Sequence, residues 1–307
     1  ENAFALAMVN DGEISIKDLQ TILDEKMQVI KKTGILEFIR SDLSIEDIGG
    51  LGNLKNWLLK RNNSWSETAK IYNIPAPKGV LITGVPGCGK SLTAKAISSK
   101  WKLPLYLLDF ATVQGMYVGQ SEQQLKEALN AAEQVSPCVL WIDEIEKGLA
   151  GKSDSGVTNK MIGQFLFWLQ ECKKEVFVVS TANDITSLPA ELFRKGRFDE
   201  IFFVDLPSPN ERKDIIKLYL NKYLNININD ELMNKLVELS NGFSGSDIES
   251  TIREIAYEVV AKEQGLTQEL IINKFANSLS VSKTNPEKIE SIRKWGQEHA
   301  TPASKNN

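Results

Sequence analysis

The stretch Gly84-Val85-Pro86-Gly87-Cys88-Gly89-Lys90-Ser91 decides the fold. It fits the pattern GxxxxGK[ST], in which glycines leave backbone N–H groups free to cradle a polyphosphate at the start of a helix. Lys90 is then the residue that reaches the β- and γ-phosphates, and Ser91 offers its hydroxyl to Mg²⁺. Downstream, Val139-Leu140-Trp141-Ile142-Asp143-Glu144 reads as an apolar strand ending in two carboxylates. Asp143 suits a metal contact made through water, because Mg²⁺ keeps several of its waters. Glu144 suits a general base acting on an attacking water. In this order the two strings predict binding and hydrolysis of a nucleoside triphosphate. A strand that merely ends in solvated carboxylates does not account for the loop upstream.

Outward from this pair, short apolar runs alternate with helical periodicity. Val80–Ile82, Leu105–Leu108, Cys138–Ile142, Val176–Val179 and Ile201–Val204 read as buried strands. One intervening helix carries Leu125, Ala128, Leu129 and Ala132 on a single face, and another carries Met161, Ile162, Phe165 and Leu169. Such alternation predicts an α/β fold with a doubly wound, mostly parallel five-stranded sheet over residues 41–206. Pro207-Ser208-Pro209 marks a break, and the pattern beyond it is all helical, predicting a small helical lid domain over 207–275. Residues 276–307 read as a helix anchored by Trp295 and a polar, disordered tail. Residues 1–40 read as helical, from a capping-box start at Ser15 to Gly34, and as a possible remnant of a larger N-terminal domain.

Composition bounds the chemistry. The chain has 307 residues, 42% of them hydrophobic and 25% charged, as in an ordinary globular protein. A net charge of −4 without a basic stripe argues against a nucleic-acid partner. No apolar run is long enough to span a bilayer. Three cysteines, without metal-ligand spacing, point to a reducing compartment. The single histidine, His299, excludes a His-based nucleophile triad or a His-rich metal site in the core. Carboxylates, Lys, Arg and a bound metal are left to carry the chemistry.

The order of motifs over residues 44–262 resembles that of the AAA ATPases, which implies ATP and Mg²⁺ as cofactors. Asp47-Ile48-Gly49-Gly50-Leu51 resembles the segment that lies along the adenine, and Tyr219 stands where many relatives have a His beside it. Asn183 matches the sensor that orients the attacking water. Arg194 and Arg197, within Phe193-Arg-Lys-Gly-Arg-Phe-Asp-Glu200, match the arginines that reach a neighbouring subunit's γ-phosphate. Phe243-Ser-Gly245-Ser246-Asp-Ile248 resembles the lid turn near the nucleotide. Met116-Tyr117-Val118-Gly119 matches a loop that projects into the pore of a hexamer and grips a polypeptide; a core aromatic at a strand-to-helix corner is the alternative. The polar stretch Ala150–Gly156 is either a second pore loop or an ordinary connection. The resemblance implies a homo-oligomer, a hexamer, acting on a protein substrate, against a nucleotide-gated scaffold as the other reading.

Several positions depart from the family pattern. Cys88 replaces the usual Thr and is either a redox brake on the phosphate loop or simply a small residue. Gln120 replaces Glu in the string after Tyr117. The lid turn carries no Arg near Ser246, so catalysis leans on arginines supplied in trans. Residues 1–15 and the Trp295 tail resemble a subgroup encoded in algal plastid genomes and in cyanobacteria, which implies the plastid stroma or the cyanobacterial cytoplasm.

Overall fold

A computed structural model describes residues 30, 34–41, 48–62, 64–65, 67–113, 120–149, 155–185, 188–194, 196–262 and 265–304. Its centre is a sheet built from β1 (Leu36–Ile39), β2 (Gly79–Gly84), β3 (Leu105–Leu108), β4 (Cys138–Ile142), β5 (Val176–Ala182), β6 (Glu200–Val204) and β7 (Thr301–Pro302), in the order β1-β3-β4-β5-β2-β6-β7. All neighbours run parallel except β1, which pairs antiparallel with β3 from Leu36 opposite Leu108 to Ile39 opposite Leu105.

The inner strands are buried on both faces, and their side chains divide with period two. Leu81, Leu140, Ile142 and Val178 enter one hydrophobic cluster, while Val80, Ile82, Val139, Trp141, Phe177 and Val179 enter the other. The first cluster is closed by α3 (Gln120–Gln134) and α4 (Ser155–Glu171), whose Leu125, Ala128, Leu129, Ala132, Met161, Ile162, Phe165 and Leu169 are all buried. The second is closed by α1 (Gly52–Arg61) and α2 (Lys90–Trp101). The α/β sandwich is therefore the one expected from the alternating pattern.

The expected five strands are the central ones, and the sheet is wider by two. β1 falls in the segment read as helical, because Leu36 and Phe38 alternate inward within a stretch too short to reveal its period. β7 falls in the tail read as disordered. Two residues carry no periodic signal, yet Ala303 is fully buried and its N–H donates to Phe203 O at 2.8 Å. A proline in β7 is tolerated because the strand lies at the sheet's edge. Within residues 1–33 only Ile30, helical and buried, is among the described residues.

After Pro207 come α5 (Pro209–Leu224), α6 (Asp230–Leu239), α7 (Gly245–Lys262) and α8 (Gln268–Asn277), packed around their own core of Ile216, Leu236, Ile248, Ile252 and Phe275. A complete capping box starts α5: Ser208 Oγ accepts from Glu211 N–H, and the Glu211 carboxylate accepts from Ser208 N–H. Helix α9 (Pro286–His299) then returns to the sheet. Trp295 packs on Phe193 with ring centroids 5.2 Å apart, and Arg293 pairs with Asp205 at 2.9 Å. No described helix is long and apolar enough to cross a membrane.

Candidate functional site

The loops that follow β2, β4 and β5 meet at the carboxyl ends of adjacent parallel strands, where open α/β sheets place their ligands. A cavity of about 440 Å³ opens there, lined by Pro86–Ser91, Glu144 and Asn183 on the sheet side and by Tyr219, Gly245 and Ser246 on the helical side. Gly49 also lines it, whereas Asp47 lies outside the described residues.

The phosphate loop has the backbone its glycines allow. Gly87 and Gly89 take φ of 77° and 87°, a region costly for other residues. A Cβ on Gly87 would fall 2.8 Å from Ser244 Oγ, so the glycine also admits the start of α7. There Ser246 N–H donates to Gly87 O at 2.9 Å, tying the helical segment to the loop. Gly84 closes β2, and Val85 is fully buried beside it. The Lys90 ammonium is buried and donates to Gly84 O at 2.9 Å and Val85 O at 2.8 Å. Burial pulls its pKa down to about 8, against the opposing pull of Cys88 and of the carboxylates of Glu146, Glu144 and Asp143. The Cys88 thiol is pushed up to about 12, chiefly by burial and against the lowering effect of Lys90. A raised pKa disfavours the thiolate and so weighs against a redox brake.

Ser91 Oγ donates to Asp143 Oδ1 at 2.8 Å, bringing together the two residues expected at a metal. The same oxygen accepts from Thr181 Oγ1 at 2.6 Å, and Thr181 Oγ1 in turn accepts from Glu144 N–H at 2.9 Å. Glu144 itself has a φ of 47°, the left-handed region that non-glycine residues rarely occupy. Its side chain is gripped at both oxygens: Asn183 Nδ2 donates to Oε1 at 2.5 Å, and Lys147 pairs with Oε2. Asn183 is placed by its own N–H, which donates to Glu146 Oε1 at 2.9 Å. Burial raises the Glu146 pKa, and its other oxygen is buried without a partner among the described residues.

Thr181, Glu146 and Lys147 are absent from the sequence reading. Thr181 and Glu146 carry a faint signal, as polar residues beside apolar strands. Lys147 looks like any surface cation. Arg194 is exposed and Arg197 half-buried outside the cavity, where Arg197 Nη1 donates to Glu191 O. Tyr219 lines the cavity and stacks on Tyr223, 6.0 Å between centroids. Its hydroxyl pKa is raised, chiefly by burial. Residues 116–119 lie outside the described residues, as do 150–154 of the second candidate pore loop.

A phosphate loop between a central parallel strand and a helix, with a carboxylate pair at the end of β4 on the far side of β5, defines a phosphate-loop α/β domain. Residues 80–206 match the family model "ATPase family associated with various cellular activities (AAA)", and the chain carries an AAA ATPase domain. Residues 1–33 match a second model, "SpoVK-like AAA ATPase, second domain". Among curated proteins the chain is similar to the AAA domain-containing protein ycf46 of Pyropia yezoensis, 44% identical over 92% of this chain and 58% of that protein. It is likewise similar to ycf46 of Guillardia theta, 43% identical over 92% of this chain and 56% of that protein. It thus spans little more than half the length of these relatives. A cell division cycle protein 48 homolog of Archaeoglobus fulgidus is 32% identical over 73% of this chain and 32% of that protein. The solved FIGL-1 AAA domain in complex with ADP superposes with a TM-score of 0.72 at 19% identity, covering 89% of this chain and 97% of that one, a likeness of fold.

Proposed function

We propose that the chain binds Mg²⁺–ATP in this cavity and hydrolyses it to drive remodelling of a protein substrate in an oligomeric ring. The observation that carries the reading is the chain of contacts from Ser91 through Asp143 and Thr181 to Glu144 and Asn183, beside a buried ammonium. The residues present fit the nucleotide. Gly87 and Gly89 form a backbone cradle, Lys90 offers a desolvated cation for the β- and γ-phosphates, and the start of α2 favours an anion. Gly49, Tyr219, Gly245 and Ser246 supply the rest of the wall. Ser91 and Asp143 would hold Mg²⁺, which when bound neutralises charge on the phosphates.

Glu144 accepts the proton of the attacking water, and Asn183 fixes the carboxylate that does so. Arg194 and Arg197, which do not line their own cavity, are the residues we assign to completing a neighbour's site in trans within a homo-hexamer. Residues 116–119 are the proposed pore loop, gripping a polypeptide. Similarity to the FIGL-1 domain crystallised with ADP and to the ycf46 proteins supports nucleotide binding and a plastid setting.

Glu144→Gln tests the reading: it should keep ATP binding, lose turnover by ~10²–10⁴-fold and retain the substrate on purification. Turnover at the unaltered rate would sink the assignment of the base. A retained partner that the active enzyme never alters would point instead to a nucleotide-gated scaffold.

A further inference from the structure

Ser304 lines the same cavity from the far end of the chain, its hydroxyl donating at 2.6 Å to Glu211, 93 positions away. Three segments converge on that carboxylate. Oε1 also accepts from Leu51 N–H at 3.3 Å, and Oε2 accepts from Ser208 N–H at 2.9 Å, within the capping box that begins α5. Gly50 presses so closely on it that a Cβ there would fall 1.9 Å from Oε1. The segment bearing Ser304, just beyond β7, is held from both sides. Ala303 N–H bonds β6, Ala303 O accepts from Asn53 N–H at 2.9 Å and Leu54 N–H at 3.1 Å, and Asn53 Nδ2 donates to Pro302 O and Ser304 O, each at 3.0 Å.

Glu211 therefore joins the cavity's loop (Ile48 to Leu51), the hinge into α5, and the segment that follows β7. The first two carry Ile48, Gly49, Ile215 and Tyr219 to the cavity wall. A ligand that needs both segments in place binds more weakly if it must order them itself.

We propose that residues 301–304 form a built wall of the nucleotide pocket, and that Ser304 and Glu211 are positioning residues that set its loop and its first lid helix before nucleotide arrives. The proposal rests on the nucleotide-binding reading above. It has a thermodynamic corollary: if the docked strand tightens nucleotide binding by some factor, bound nucleotide tightens the docking by the same factor.

Calorimetry with ADP on the unaltered chain, Ser304→Ala and Asn53→Ala tests this, joined by hydrogen exchange at the Ala303 amide with and without ADP. Asn53 is a discriminating site because it holds the strand without lining the cavity. Each variant should weaken ADP by roughly threefold to tenfold, the scale of one net hydrogen bond. In the unaltered chain ADP should slow exchange at Ala303 by a comparable factor, a readout that needs no variant to fold. Unaltered affinity in folded Asn53→Ala, or Ala303 exchange indifferent to ADP, overturns the proposal while leaving the nucleotide site standing. An unaltered chain that binds no ADP overturns the nucleotide reading, and this one with it.

Discussion

Thr181→Val removes one hydroxyl and keeps the side chain's shape, yet that hydroxyl hydrogen-bonds both the proposed metal carboxylate and the backbone of the proposed base. Thr181 is 1% exposed, donates to Asp143 Oδ1 at 2.6 Å and accepts from Glu144 N–H at 2.9 Å. Losing the charge-assisted bond costs about 1.5–3 kcal/mol, and leaving the Glu144 N–H unpaired costs about 1–3 kcal/mol. That N–H also anchors a residue whose left-handed backbone carries its own cost of about 1–3 kcal/mol, so the strain gains a route of release. The melting temperature should fall by about 2–4 °C for each kcal/mol lost. A Glu144 carboxylate displaced by an ångström should lower kcat by ~10²-fold. Thr181 does not line the cavity, so ADP affinity should stay within about threefold of the unaltered value. Thr181→Ser keeps the hydroxyl and should restore most of the rate. The assays are steady-state ATP turnover, ADP calorimetry and a thermal melt. A folded Thr181→Val that turns over ATP at the unaltered kcat refutes the argument that this hydroxyl aligns Asp143 and Glu144.

The Lys90 ammonium, brought down to about 8 by burial, implies that ADP affinity is greatest below that pH, where the lysine enters binding already charged. Affinity should fall as the pH rises from about 8 towards 9, by at most about tenfold per unit; calorimetry showing no decline would refute the assignment. Arg197→Ala should lower turnover by ~10³-fold with nucleotide binding intact, and mixing it with Glu144→Gln should recover activity, because each variant supplies what the other lacks. Verified mixed assemblies that stay inactive would exclude composite sites. Gly296→Ala would place a Cβ 2.1 Å from Phe203 Cδ2, where α9 meets β6. Overpacking of about 1–3 kcal/mol should outweigh the gain in helix propensity of about 1 kcal/mol and lower the melting temperature. A higher melting temperature would show that α9 moves away freely.

Much of the fold was legible because its signals are local. The glycines of 84–89 prescribe backbone conformations, and apolar runs of strand length between helical faces specify a parallel sheet wherever they pack. The Ser91, Asp143, Glu144 and Asn183 constellation was legible for the same reason, each residue sitting at the end of a recognisable element. β1 and β7 were not, since two to four residues in edge strands are specified by the neighbour they pair with rather than by their own pattern.

By itself, then, the sequence determined which groups the chain offers to the proposed chemistry: a glycine-rich loop and a lysine after β2, and two carboxylates after β4. Only the tertiary structure decided how these groups are aligned. Thr181 bridges Asp143 and Glu144 across 38 and 37 positions, Glu146 places Asn183 from 37 away, and Ser304 reaches Glu211 from 93 away. The periodicity of a chain records which face of an element is buried, but a hydrogen bond between distant segments depends on the register in which those faces pack. That register exists only once the sheet and the helices around it have closed.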